Sequence, residues 1–118
     1  ILSGHSSSGL FVGYALFMEA PSNHQFSAFI SADGSFWQQP VDVSDAEARM
    51  YAANLGHPIP VTVLLGGDSL GNLSYVYGIY YQLLGRDYPG MRLSLNTYSV
   101  GHVQMDAPFF AAALAVLF

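Results

Sequence analysis

Gly4-His5-Ser6-Ser7-Ser8-Gly9, directly behind the apolar pair Ile1-Leu2, decides how this chain is read. A buried strand that ends at Ser3-Gly4 and passes at once into a helix fits the pattern Gly-x-Ser-x-Gly. That pattern is a sharp strand-to-helix turn that lifts a serine clear of the sheet. The backbone there is strained and closely packed, so small residues belong two places before and two places after the serine. Gly4 fills the first place for Ser6, and Ser8 fills the second, a departure from glycine that is still small. Taking Ser7 as the nucleophile would put bulky His5 where the small residue belongs. Ser6 is therefore the candidate nucleophile. The backbone N–H of Ser7, at the start of the helix, is the candidate oxyanion donor.

Outward from this turn, the punctuation divides the chain into alternating strands and helices. Leu10, Tyr14, Phe17 and Met18 recur at helical spacing, and Pro21 ends that run. Phe26 to Ile30 reads as a second strand, broken by Asp33-Gly34-Ser35. Ser44-Asp45-Ala46-Glu47 has the form of a capping box, opening a helix through Leu55 that Gly56 closes. Pro60 to Leu65 is β-branched and apolar, bounded by Gly66-Gly67, and is the clearest buried strand. A helical stripe runs from Asn72 to Gly85, a fourth strand from Met91 to Tyr98, and a last helix follows Pro108. Strands alternating with helices imply a mostly parallel sheet covered by helices, joined by right-handed crossovers. Ligands of such sheets bind beyond the carboxyl ends of the strands.

Composition agrees with that class. The 118 residues are 52% hydrophobic and only 9% charged, as expected where central strands are buried on both faces. Eight acidic and three basic residues give a net charge of −5, scattered along the chain. This leaves little means of holding a phosphate backbone, so nucleic acid is not an expected partner. There is no cysteine, hence no disulfide framework or thiolate metal site. No apolar run reaches the length of about 18 residues that spans a bilayer.

Three strand ends carry a nucleophile, an acid and a base, in that order. Asp68 follows the third strand in Gly66-Gly67-Asp68-Ser69, placed to orient a histidine. His102 follows the fourth and is the candidate general base. Asp33, behind the second strand, is the runner-up acid, because the motif fixes chain order but not which later strand supplies the carboxylate. His24 and His57 lie in Asn-, Pro- or Gly-bearing connections, with no carboxylate at metal-ligand spacing, and read as surface loops. His5 and Trp37 are candidates for lining a substrate pocket, while the tyrosines from Tyr75 to Tyr81 read as core.

Gly4 to Phe11 resembles the Gly-His-Ser-x-Gly-Gly-Leu-Phe segment of the α/β-hydrolase family that holds esterase D, enterobactin esterases, feruloyl esterases and mycolyltransferases. Phe29 to Trp37 is similar to its Ile-Ser-Pro-Ser-Leu-Trp-Trp segment. Gly67-Asp68-Ser69-Leu70 is similar to the acid-bearing turn of the feruloyl-esterase branch, and Gly101-His102 with the last helix to the family's histidine loop. The resemblance implies an α/β-hydrolase fold fragment, residues 1–118 forming a single partial domain, the C-terminal half, with the N-terminal strands missing. It implies a serine hydrolase cleaving small-molecule carboxylic esters through Ser6, Asp68 and His102, with no cofactor and no metal. The second oxyanion donor would lie in the missing half, so the isolated piece is expected to be inactive. Acyl transfer by the same triad and a non-catalytic binding relative are the alternatives.

Overall fold

The β-branched, apolar run behind Pro60 forms one of the two central strands, and its glycines lie inside the strand rather than at its end. In the computed structural model, which describes residues 1–20 and 23–118, the strands are β1 (Leu2–His5), β2 (Ala28–Ala32), β3 (Thr62–Asp68) and β4 (Arg92–Tyr98). The helices are α1 (Ser7–Met18), α2 (Pro40–Asn54), α3 (Leu73–Arg86) and α4 (Asp106–Leu117), with a short 3-10 turn at Phe36–Gln38. Pro21, read as the stop of the first helix, lies outside the described residues; α1 ends at Met18.

The sheet is parallel throughout, in the order β1-β2-β3-β4. Because sheet order equals chain order, crossovers of one hand put α1, α2 and α3 on the same face. Phe29, Val63 and Leu65 point into that layer and pack with Leu16, Val43, Met50, Ile79 and Leu83. The alternate residues Ile30, Ala32 and Leu64 face the opposite side, where Met105, Phe109 and Ala113 of the last segment cover them. The central strands are thus buried on both faces, which is why they read as unbroken apolar runs.

Two expectations shift. The second and third strands both run on past their expected ends, to Ala32 and Asp68. Gly66 and Gly67, taken as boundaries, are close-approach sites, one for each helix layer. A side chain at Gly66 would meet the Phe109 ring at 2.7 Å, and one at Gly67 would meet Leu73 at 2.7 Å. The capping box also does not operate. Helix α2 begins five residues earlier, with Gln39 as its N-cap and Pro40 in its first turn, where the missing N–H costs nothing and the ring presets φ. Ser44 and Glu47 instead face α3. The Ser44 hydroxyl donates to Gln82 Oε1 at 3.0 Å, and fully buried Glu47 accepts from Gln82 at 2.5 Å, Tyr88 at 2.6 Å and Arg86 at 3.2 Å. Burial and then the bond to Glu47 push the Tyr88 phenol well above its ordinary range. The network locks α2 to α3 behind the sheet.

The tight seam at Gly66 gives a stability test. Gly66→Ala forces a methyl against a fully buried ring and should cost about 1–3 kcal/mol, seen as a lowered melting temperature. Adding Phe109→Leu should recover part of that loss, since the two sites are in contact and their effects should not add.

Candidate active site

Ser6, Asp33, Asp68 and His102 all lie at or just beyond the carboxyl ends of the four strands, on one rim of the sheet. Ser6 sits between β1 and α1 with φ 60° and ψ −119°, a conformation that a non-glycine residue keeps only when its surroundings enforce it. The enforcement is visible. Its N–H donates to the Ala32 carbonyl at 3.0 Å, and its own carbonyl accepts from Leu10 N–H at 3.1 Å and Ser35 N–H at 3.0 Å. Any side chain at Gly4 would overlap the Ser8 carbonyl, so that glycine is required. Ser8 itself is exposed, which explains why the place where glycine is usual tolerates a hydroxymethyl group. Ser7 opens α1, so its N–H is one of the first-turn amides that a helix leaves unbonded.

The Ser6 hydroxyl lies 3.0 Å from His102 Nε2. The other ring nitrogen, Nδ1, is hydrogen-bonded to Asp33 Oδ2. The carboxylate on the histidine is therefore Asp33, not Asp68. Asp33 is fully buried with φ 46°, and Oδ1 accepts the N–H groups of Asp68 at 2.9 Å and Asn72 at 3.1 Å. The Asn72 side-chain amide returns a bond to the Asp33 carbonyl at 2.9 Å. Gly71 makes room for the pair, because a side chain there would overlap Asp33 Oδ2 and press on His102 Cβ.

Asp68, also fully buried, holds backbone instead. Oδ2 accepts from Val100 N–H and Gly101 N–H, both at 2.9 Å, and Oδ1 accepts from Leu70 N–H at 2.8 Å. Burial acts to raise its carboxyl group, but those three amides, and then the nearby His102, outweigh it and hold the group below the ordinary carboxylate value. Asp68 thus anchors the loop that carries the histidine.

His5 lines a hollow beside β1 with Ile30, Ala32 and Phe110. Its ring also packs on that of His102 at a tilt of 33°, with centroids 4.6 Å apart, and its Nε2–H donates to the His102 carbonyl at 2.7 Å. Trp37 lies on the 3-10 turn after β2 and is half exposed. Among the described residues no cluster of three or more metal-ligating side chains occurs. Ser35, Gly71 and Asn72 were not singled out from the sequence. All three lie in short turns whose residue types are ordinary turn chemistry, and only the fold brings them to Ser6 and His102.

No family model and no curated protein sequence matches the chain. Among solved structures it superposes on the siderophore hydrolase EstA from Aspergillus nidulans with a TM-score of 0.83 at 18% identity, over 98% of this chain and 46% of that one. It superposes on the BES protein from Bacillus cereus with a TM-score of 0.75 at 18% identity, over 93% and 41% of the two chains. The chain therefore shares with both proteins a parallel α/β sheet flanked by helices, and it spans less than half the length of either.

Proposed function

We propose that the chain carries the catalytic machinery of a serine hydrolase that cleaves carboxylic esters through an acyl-enzyme on Ser6. The observation that carries this reading is the continuous line from Ser6 Oγ through both nitrogens of His102 to the Asp33 carboxylate. A fold neighbour is itself named a siderophore hydrolase, which supports hydrolysis as the reaction class. On this reading His102 removes the Ser6 proton during attack and returns it to the leaving alcohol. Asp33 holds the ring in the right tautomer and stabilises the imidazolium that forms. Water then resolves the acyl-enzyme by the same route. Ser7 N–H serves as one oxyanion donor. Residues 1–118 are part of a larger catalytic domain that supplies the other, a reading supported by the short coverage of both neighbours.

The two carboxylates divide the work: Asp33 acts on the ring, and Asp68 acts on the backbone that carries it. In the full-length protein, Ser6→Ala should abolish covalent labelling by a fluorophosphonate; equal labelling of that variant would exclude Ser6 as nucleophile. Asp33→Asn should lower kcat roughly 10³- to 10⁴-fold, the cost of a wrong histidine tautomer. Asp68→Asn should cost clearly less in kcat, and the reverse ranking would return the acid role to Asp68.

Asp68 should matter to stability in a pH-dependent way. Its carboxyl is lowered on folding, so its contribution is complete above the unfolded value of about 3.9 and fades as pH falls through the lower folded value. The melting-temperature gap between wild type and Asp68→Asn should therefore be widest above about pH 4 and narrow on acidification below it. A gap that does not change with pH would show that the carboxylate charge is not what the loop uses.

A further inference from the structure

One hydroxyl in the site takes no part in the relay described so far. Ser35 is buried, at 3% exposure, and its Oγ lies 3.2 Å from Ser6 Oγ. The approach is fixed by backbone, since Ser35 N–H donates to the Ser6 carbonyl at 3.0 Å. Valence then sets the direction of the side-chain bond. The Asp33 carboxylate only accepts, so His102 Nδ1 carries the proton and Nε2 is left as an acceptor. The Ser6 proton goes to Nε2, 3.0 Å away. A hydroxyl has one proton, so Ser6 Oγ meets Ser35 only as an acceptor, and Ser35 is the donor. On the far side Asn72 Nδ2, which only donates, lies 3.5 Å from Ser35 Oγ. Donor polarity thus runs in one sense, from Asn72 through Ser35 and Ser6 to His102 and Asp33.

We propose that Ser35 is a further catalytic residue, whose hydroxyl donates to the Ser6 oxygen as that oxygen gains charge. The proposal rests on the reading of Ser6 as nucleophile. In acylation Ser6 Oγ bonds to the ester carbonyl carbon, the carbonyl π pair moves to its oxygen, and the Ser6 proton passes to His102 Nε2. Collapse expels the alcohol, which takes that proton. In deacylation water adds to the acyl carbon and gives a proton to His102. The C–Oγ bond then breaks, its electron pair stays on Oγ, and Oγ takes the proton back from His102. Ser35 keeps its own proton throughout. Oγ carries more negative charge as its proton leaves, and again as the C–Oγ bond breaks, than in the resting hydroxyl. A donor at this distance therefore favours the transition states over the resting enzyme.

The test is the rate of fluorophosphonate labelling in the full-length protein, with kcat and KM on an aryl ester. Ser35→Ala should slow labelling and kcat roughly ten- to a hundredfold, with KM and melting temperature near wild type. Ser35→Cys, close in shape but a weaker donor, should fall between. A folded Ser35→Ala variant that labels at the wild-type rate overturns the proposal. Should that variant fail to fold, Ser35→Cys decides: a slowed rate supports the role and an unchanged one removes it. A wild-type protein that takes no label overturns the nucleophile reading, and this proposal with it.

Discussion

The site depends on one contact, the buried Asp33 carboxylate against the His102 ring. A buried carboxylate is tolerated only when its oxygens are satisfied. Asp33 meets that demand with the Asp68 and Asn72 amides and the imidazole. The two amides come from the segment that ends β3 and enters α3, and the imidazole from the loop after β4, so satisfying the charge also fixes where both segments sit. The turn after β2 that carries Asp33 also carries Ser35, which bonds to Ser6 through backbone and side chain. Removing Asp33 would therefore disturb more than one proton's destination.

His102 is fixed from three directions that share no atoms. Asp33 orients its ring, His5 packs on the ring at a tilt and donates to its carbonyl, and Asp68 gathers the two amides before it. A loop residue is ordinarily mobile, and its entropy opposes a single productive rotamer. Here the loop is tied at backbone and side chain alike. Rigid placement of this kind is what general-base chemistry requires, because a small displacement of the imidazole is expensive.

Much of this was legible in the sequence. Alternation of apolar strands with helical stripes gave the parallel sheet, and the small residues around Ser6 marked the turn. His102 stood out as a histidine just past the last strand. The choice between Asp33 and Asp68 was not legible, since both follow strands and both sit beside glycine in turn-like stretches. What separates them is which oxygen faces the ring and which faces the loop amides, a matter of a few ångströms set by strand register. Ser44 and Glu47 misled for a related reason. Their spacing suits a helix cap, but the same spacing also presents both to a neighbouring helix, and tertiary partners won. Gly66 looked like punctuation because the ring of Phe109, which needs the space, is far away in the chain, whereas the space at Gly67 is needed by Leu73 of α3.

The parallel sheet with equal sheet and chain order has a consequence for biogenesis. Each strand can dock on the one made just before it, so the sheet can grow in the order of translation. The site cannot, because the Ser6 and His102 side chains meet across a separation of 96 positions and Asp33 and His102 across 69. Ser6 is therefore made before its imidazole partner, and the two meet only when the segment around His102 has been synthesised and has closed over the rim. The contact between the two side chains thus forms only after all four described strands have been made, and its presence marks a finished sheet.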